Sequence, residues 1–305
     1  MKTTVIHHSA DYDGIFCREI ARKFLPDAEP IGWDFKDKPL SLDLINQSQS
    51  IYILDLPVDR PFGVSFPDAL NQFEIAGWLD GRIIWIDHHK SSIESHPKDI
   101  KGYRIDGVAA CRLAWQWFNR PKDDEAYPII ALKKEDYVNR TVSEPLAVRL
   151  AGEYDIWDKR DERADVFQFG LRSRELTAAD WTDLLSGCDI FTEGLLSNGK
   201  MLQSYQQRND AGMMGRSFLV EFEGLKLLAL TTARCNSLTF AAKDVPETGH
   251  DALMGFYFDG KKWNVSLYHA KHNTGIDLSQ IAVKYGGGGH RGACGFQVES
   301  LPFIK

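Results

Sequence analysis

Several features that place a chain in a special class are absent from this sequence of 305 residues. Its cysteines are odd in number, include no Cys-x-x-Cys pair and lie far apart, at Cys17, Cys111, Cys188, Cys235 and Cys294. This pattern argues against a disulfide framework and favours reduced thiols. No apolar run approaches the roughly 20 residues that span a bilayer, and the first residues hold no apolar signal core. We therefore expect a cytoplasmic protein with no membrane partner.

An excess of positive charge is also absent, because 36 Lys and Arg residues face 43 Asp and Glu residues, for a formal net charge of -7. This balance argues against a broadly basic surface that coats nucleic acid. It leaves a phosphate substrate open, since divalent ions and a few local cations can reverse the field inside one acidic cleft. With 43% hydrophobic residues, the chain can bury one large core or two smaller ones.

Short strand patterns alternate with helix patterns through the first part of the chain. The strands are predicted at residues 3–6, 51–54 and 82–86, and the helices at 14–25, 67–79, 108–118, 124–137 and 144–153. Such alternation is typical of a parallel α/β sheet. Within the helix at 108–118, Leu113, Ala114, Trp117 and Phe118 follow helical spacing, so Trp115 and Trp117 are predicted to belong to the core rather than to a base-stacking surface.

The second part of the chain has a different pattern. Strands are predicted at 217–223, 225–232, 252–258, 262–268 and 295–298, with a hairpin signal at Asp259-Gly260 and a helix at 277–285. Residues 189–214 are compatible with helix and lack strand signals. We therefore expect an α/β parallel-sheet domain over 1–188, a helical linker over 189–215, and a smaller α+β domain with a hairpin-rich sheet over 216–305.

Potential metal ligands follow three of the predicted strands. They are His7 after the first, Asp55 after the second and Asp87-His88-His89 after the third, and the first strand also leads into Asp11 and Asp13. The carboxyl ends of parallel strands share one edge of a sheet, where such folds bind ligands. A mixed set of imidazole and carboxylate ligands suits manganese, magnesium or cobalt. Two such ions can clamp a phosphoryl group between them.

The tripeptide Asp87-His88-His89 and the C-terminal run GGGGHRGACGF at 286–296 are similar to the two signatures of one family. The sequence resembles the DHH phosphoesterase superfamily with a DHH-associated C-terminal domain. Within it, the chain resembles the two-domain nanoRNases, oligoribonucleases and cyclic-dinucleotide phosphodiesterases, which are related to exopolyphosphatases. This resemblance covers nearly the whole chain and implies a metal-dependent phosphoesterase.

The resemblance also implies roles for individual residues. His7 and Asp11 would hold one metal ion, Asp13 and His88 the other, and Asp55 would bridge both. The last ligand is an aspartate late in the first domain, assigned to Asp155 with Asp158 as the competing choice. The catalytic residues would be Asp55, His89 and Asp87, where Asp87 orients a neighbouring histidine and His89 faces the ions or the phosphate.

The C-terminal motif implies a substrate-binding surface formed by Gly287, Gly288, Gly289, His290 and Arg291. Consecutive glycines leave backbone N–H groups open to a phosphate. The strand before this motif departs from the family. Many relatives carry Ser-Leu-Arg-Ser there, whereas this chain has Tyr268 in place of the arginine. Either Lys271 or His272 supplies the missing cation, or the substrate class differs.

The implied reaction is hydrolysis of phosphoester bonds in short oligoribonucleotides, dinucleotides or nucleotide phosphates by a hydroxide that bridges two divalent ions. His89 and His290 would contribute hydrogen bonds or a proton. One alternative is an exopolyphosphatase-type hydrolase, and another is a non-catalytic protein that binds nucleotides or single-stranded nucleic acid. Trp157 either stacks on a base or packs in the core, and a homodimer is left open.

Overall fold

The computed structural model describes residues 2–64, 81–120, 143–158, 160–233 and 235–303. The chain divides into two compact units, Met1–Leu202 and Gln203–Lys305. The division falls within one long helix, inside the segment that the sequence predicts as the linker. The helices predicted at 67–79 and 124–137 lie outside the described residues.

The first unit contains a four-stranded parallel sheet. Its strands, in chain order, are β1 (Lys2–His8), β2 (Glu29–Trp33), β3 (Ser48–Leu54) and β4 (Ile83–Ile86), and their spatial order is β2-β1-β3-β4. The predicted parallel sheet is confirmed. The sequence did not indicate β2, because Glu-Pro-Ile-Gly-Trp has neither an apolar run nor regular alternation, and burial against β1 compensates for this weak propensity.

Helices cover this sheet. They are α1 (Tyr12–Phe24), α2 (Asp43–Gln47), α3 (Lys90–Ser95), α4 (Ala110–Asn119), α5 (Leu146–Asp155), α6 (Arg163–Leu171) and α7 (Ala178–Leu184), and α8 (Ile190–Met213) extends into the second unit. Successive residues of β1 enter different cores. Val5 packs in the cluster that contains α1 and α4, and Ile6 packs in a separate cluster with Ile53 and Trp85. Trp115 and Trp117 are buried as predicted. No helix in the described ranges is long and apolar enough to cross a membrane.

The second unit is built on a six-stranded mixed sheet. Its strands are β5 (Phe218–Phe222), β6 (Leu225–Thr231), β7 (Ala252–Phe258), β8 (Trp263–His269), β9 (Gly288–His290) and β10 (Ala293–Val298), in the order β5-β6-β7-β8-β10-β9. The β6–β7 pair is parallel, and the other neighbours are antiparallel. Helix α9 (Ser279–Lys284) packs on one face through Ala282. Within the glycine run, Gly288–His290 forms the short edge strand β9, which the sequence did not indicate.

Candidate active site

Asp55 lies at the centre of the clustered ligands. It directly follows β3, is 1% exposed, and donates its backbone N–H to the carbonyl oxygen of Ile86 at 2.9 Å. Its φ of 60° is in the left-handed region, which aspartate tolerates better than most residues. The chain therefore turns sharply at the end of the strand while the Asp55 carboxylate stays buried at this edge.

One oxygen of Asp55 belongs to a group around His88. The Nε2 atom of His88 lies 3.3 Å from Asp55 Oδ1, 3.3 Å from Asp155 Oδ2 and 3.6 Å from Asp13 Oδ2. Ligand atoms of Asp13, His88 and Asp155 all lie within 4.8 Å of one another, a spacing compatible with one metal ion. The structure thus brings together four of the residues that the resemblance implies, Asp13, Asp55, His88 and Asp155.

The other oxygen of Asp55 belongs to a second group around His8. The Nδ1 atom of His8 lies 3.0 Å from Asp11 Oδ2 and 3.5 Å from Asp55 Oδ2. On the other side of the ring, Nε2 lies 3.6 Å from Asp34 Oδ1. A carboxylate at the second nitrogen is the usual way in which a protein orients a ligating imidazole. Sequence reasoning missed both His8 and Asp34.

The structure does not place His7 in either group, although the sequence assigns it as a metal ligand. Side chains alternate along a strand, and His7 continues the face of Val5 while His8 emerges on the other. The Nδ1 atom of His7 is 2.7 Å from the carbonyl oxygen of His8, and its ring lies beside Gly32, its register partner in β2. The geometry thus favours His8 as the ligand, and the assignment of His7 stays a prediction.

Two aspartates of the first cluster also organise α1. Asp11 is the N-cap of that helix and accepts the Gly14 amide at 3.1 Å. Asp13 is 2% exposed and accepts the amides of Ala110 and Cys111 at 2.8 Å each, at the start of α4. These bonds fix the Asp13 carboxylate between two helices while Oδ2 still faces His88.

Asp87 organises the tripeptide after β4. It is fully buried, and its Oδ1 accepts the backbone amides of His88 at 2.8 Å and His89 at 3.2 Å. The same oxygen lies 2.7 Å from His89 Nδ1. This contact fixes the His89 ring and makes Nδ1 the donor to Asp87, which leaves Nε2 as the second ring nitrogen. One nitrogen of His89 also lies within 4.8 Å of ligand atoms of Asp55 and His88.

The structure separates the two candidates for the last aspartate. Asp155 ends α5 and faces His88, as described above. Asp158 instead forms an ion pair with Arg160 at 2.6 Å. Asp155 is therefore the choice that the geometry favours.

The electrostatics of the site fit a divalent metal. Burial raises the pKa of Asp155 to about 6, and it raises the pKa of Asp13 well above its ordinary value with help from the charges of Asp55 and Asp155. Burial acts to lower the pKa of His8, but its contacts with Asp11 and Asp55 outweigh this effect and raise it to about 10. At Asp55 burial acts to raise the pKa, but the contacts with His8 and His88 outweigh this effect and hold the pKa below its ordinary range.

These shifts arise because several carboxylates share a buried space with few positive charges. Each imidazole nitrogen that faces a carboxylate oxygen must share a proton or a cation with it. Among the described residues, His8 Nδ1 and Asp55 Oδ1 are buried and make no hydrogen bond of good geometry. Divalent ions would satisfy these atoms and neutralise the carboxylates together, so the residues present fit such ions.

The glycine motif lies in the second unit and is exposed from Gly286 to Arg291. A side chain at Gly287 or Gly289 would overlap the backbone of β10, so these glycines first of all allow close strand packing. Gly288 has open space around its Cα. Arg291 donates to the carbonyl oxygen of Gly275.

A cleft of about 830 Å³ also lies in the second unit. Small residues of neighbouring strands stand in register on its floor, because Gly255 pairs with Ser266 and Ser266 pairs with Gly295. Polar and aromatic side chains surround this row, including Tyr257, Asn264, Tyr285 and Gln297. Such a volume is within the range of small-molecule sites.

Tyr268, which replaces the arginine of many relatives, is occupied by a structural contact. Its hydroxyl donates to the carbonyl oxygen of Cys235 at 2.8 Å, and burial raises its pKa to about 12. It therefore anchors the segment after β6. Among the described residues that line the cleft, Lys262 carries the one positive charge.

No family model matches the sequence, and no curated protein is similar to it in sequence. Solved structures are similar in fold. An exopolyphosphatase-related protein from Bacteroides fragilis aligns with a TM-score of 0.50 at 15% identity, over 98% of this chain and 88% of that chain. The pGpG-specific phosphodiesterase PggH from Vibrio cholerae aligns with a TM-score of 0.49 at 14% identity, over 98% and 94%.

RecJ from Thermus thermophilus, in complex with Mn²⁺, aligns with a TM-score of 0.46 at 14% identity, over 97% of this chain and 49% of that chain. At these identities, structural likeness establishes a fold. The likeness to the Bacteroides protein extends over both units of this chain. The chain therefore shares the fold of that exopolyphosphatase-related protein, and its motifs resemble those of the DHH phosphoesterases.

Proposed function

We propose that this protein is a metal-dependent phosphoesterase that hydrolyses phosphoester bonds in small nucleotidic substrates. One observation carries the proposal. The two oxygens of the buried Asp55 face two separate ligand groups, one with His8 and Asp11 and the other with His88, Asp13 and Asp155. This is the arrangement that two neighbouring divalent ions with one shared carboxylate require.

The ions would be held by those residues, and manganese, magnesium or cobalt suits the mixed oxygen and nitrogen donors. When bound, they would supply a nucleophile at neutral pH and neutralise charge on the phosphoryl group. His89 donates a proton or a hydrogen bond to the leaving oxygen. Burial opposes protonation of His89, but its contact with Asp87 outweighs this and raises its pKa, so Nε2 is suited to donate a proton or a hydrogen bond.

Substrate recognition is proposed to involve an aromatic residue near the ligands. Trp157 follows Asp155 by two residues, is 59% exposed and has a φ of 56°. An aromatic residue exposed to this extent has part of its ring open to a substrate. Its ring offers a stacking surface for a base, which favours a nucleotide over inorganic polyphosphate.

The cleft of the second unit supports the same class of substrate. Among its described lining residues, Lys262 is the one cation, whereas Tyr257, Asn264, Ser266 and Gln297 can stack on or hydrogen-bond to a base or sugar. A polyphosphate chain carries about one negative charge per phosphate and requires several cations along its path. Short oligoribonucleotides and dinucleotides are therefore the substrates we propose, and polyphosphate is the alternative.

The experiment is a panel assay of the full chain with Mn²⁺. It measures release of mononucleotide or phosphate from a short oligoribonucleotide, a linear dinucleotide, a nucleoside 3',5'-bisphosphate and polyphosphate. We expect mononucleotides from the first two substrates and loss of that activity by at least about 100-fold in Asp55→Asn. The matched control, Asp158→Asn, changes an aspartate that pairs with Arg160 and should retain activity.

Each other outcome contradicts part of the proposal. Phosphate from polyphosphate alone would replace the nucleotidic substrate by the exopolyphosphatase alternative. Full activity in Asp55→Asn would refute the shared-carboxylate site. Binding of nucleotides without any hydrolysis, in protein loaded with two Mn²⁺ ions per chain, would favour a non-catalytic binding protein.

A further inference from the structure

A second cluster of potential metal ligands lies in the second unit, outside the motifs that the proposed function uses. It consists of Asp244, His250 and His272. Asp244 and His250 belong to the connection between β6 and β7, and His272 follows β8 by three residues. The cluster thus joins two segments that are 22 residues or more apart in sequence and that both border the sheet.

The three side chains converge on a small space. His250 Nε2 lies 3.1 Å from Asp244 Oδ1, and His272 Nδ1 lies 3.9 Å from the same oxygen. One ligand atom of each residue lies within 4.8 Å of the other two. Asp244 and His250 are buried, with side chains fully removed from solvent, whereas the His272 side chain is 25% exposed. The space is therefore closed on two sides and reaches solvent beside His272.

Hydrogen bonds outside the cluster orient its members toward this space. His272 Nε2 lies 2.8 Å from the backbone carbonyl oxygen of His250, so Nε2 carries the proton and Nδ1 presents its lone pair. The backbone amide of Lys271 donates to both oxygens of Asp244, at 3.3 and 3.2 Å. An imidazole that donates one N–H to a backbone carbonyl is the usual arrangement of a metal-ligating histidine.

The spacing matches one tetrahedral ion. Ligand atoms about 2.0–2.1 Å from zinc are separated from one another by roughly 3.3 Å. His250 Nε2 and Asp244 Oδ1 form a hydrogen bond of 3.1 Å, which is close to this value and which an ion would replace, and the His272–Asp244 distance of 3.9 Å requires a shift of roughly 0.5 Å of the partly exposed His272 ring. The two imidazole rings are edge to face, with centroids 4.9 Å apart. Two histidines on one ion place their centroids at roughly 5 Å.

We propose that Asp244, His250 and His272 form a binding site for one divalent transition-metal ion of the zinc type. Two imidazoles and one carboxylate provide three ligands, and the solvent side next to His272 provides the fourth position. Binding requires the lone pair of His250 at Nε2, so that the ring carries its proton on Nδ1. No described residue forms a hydrogen bond with that Nδ1.

The site would have a structural consequence. An ion held by Asp244, His250 and His272 ties the β6–β7 connection to the segment that leads from β8 toward α9. It also gives His272 a role other than that of a substitute for the missing substrate-binding arginine. Because the three residues all lie in the second unit, this site does not depend on the ligands around Asp55.

The test compares three forms of the full chain after removal of metal by a chelator: wild type, His272→Ala and Lys271→Ala. Each is titrated with Co²⁺, with metal per chain determined by mass spectrometry and the visible cobalt absorption recorded. We expect His272→Ala to bind one ion fewer than wild type and to lose a tetrahedral cobalt band, with at least a 100-fold loss of affinity at that site. Lys271→Ala, which alters the neighbouring side chain and keeps the backbone amide, should match wild type.

The first metal centre contributes equally to all three forms, so the difference isolates this site even where the proposed phosphoesterase function fails. His272→Gln serves as a second variant, because it can still donate to the carbonyl oxygen of His250 while it removes the imidazole ligand. Circular dichroism verifies that the variants are folded. Equal stoichiometry and equal cobalt spectra in wild type and both His272 variants would overturn the proposal.

Discussion

The assignment of His8 rather than His7 to the metal centre makes a sharp prediction, because the two residues are adjacent and chemically identical. We compare His8→Ala with His7→Ala. His8 faces Asp11 and Asp55, whereas His7 is 2% exposed, contacts the His8 carbonyl oxygen and lies beside Gly32. His8→Ala should therefore remove a metal ligand, and His7→Ala should remove a packed and hydrogen-bonded ring.

The two substitutions should change different quantities, metal affinity for His8→Ala and protein stability for His7→Ala. Loss of a direct ligand should weaken binding of one of two Mn²⁺ ions by at least about 100-fold, which corresponds to about 2.7 kcal/mol. Loss of the His7 ring removes one hydrogen bond, worth about 1 kcal/mol, and the packing of a buried side chain, worth about 1–3 kcal/mol. His7→Ala should thus lower the free energy of unfolding by about 2–4 kcal/mol and change the Mn²⁺ affinity by less than about threefold.

Two assays separate these effects. Isothermal titration with Mn²⁺ gives stoichiometry and affinity, and denaturant unfolding of the chelated proteins gives stability. His7→Asn is a further control, since its amide can replace the donor to the His8 carbonyl oxygen. If His7→Ala loses one ion while His8→Ala retains two, the geometric argument is wrong and the motif spacing is the correct guide.

Three further predictions follow from particular contacts. Trp157→Ala should raise KM for a dinucleotide by about 5- to 100-fold with a smaller change in kcat, while Trp157→Phe should retain most of the affinity, as steady-state kinetics can check. Gly14→Ala should destabilise the protein by about 1–3 kcal/mol and weaken Mn²⁺ binding, because its Cβ would lie 2.1 Å from the His8 carbonyl oxygen; titration and unfolding of the variant test this. Burial lowers the pKa of His7 to about 4, so between pH 6.5 and 4 the unfolded chain binds a proton at His7 that the folded chain does not. The free energy of unfolding should therefore fall by up to about 3 kcal/mol as the pH decreases over this range. Unfolding measured at several pH values should show a smaller decrease in His7→Ala.

The fold could largely be predicted from local patterns. Apolar runs placed β1, β3 and β4, and the Asp259-Gly260 turn placed the β7–β8 hairpin. The two strands that the sequence did not indicate, β2 and β9, were missed for the same reason. β2 contains Pro30 and Gly32, and β9 consists of Gly288, Gly289 and His290, so neither has strand propensity of its own. Both form because a neighbouring strand offers unpaired backbone groups, which is a property of the sheet and not of the segment.

Site residues that follow strands could be predicted in the same way, because the ends of parallel strands share an edge. Asp55 and His88 come together as that rule requires. Asp155 is different, since it ends a helix far along the chain, and nothing local to AGEYDIWD distinguishes it from Asp158. The distinction arises from a nearby cation, because Arg160 pairs with Asp158 and leaves Asp155 to His88.

The choice between His7 and His8 depends on which face of β1 each side chain occupies, and the spacing of the motif does not carry this information. Val5 and Ile6 are both fully buried, so the strand lacks the alternation of polar and apolar residues that reveals which side chains share a face. A strand buried on both faces can present either of two consecutive histidines to its carboxyl edge at no cost to its hydrophobic pattern. Helix α1 determines which histidine faces Asp55. Its Gly14 packs against the His8 carbonyl oxygen, and its N-terminus carries Asp11 and Asp13. The glycine after the second aspartate is thus as much a part of the proposed metal centre as the proposed ligands, because only a residue without a side chain lets the helix approach closely enough to align them.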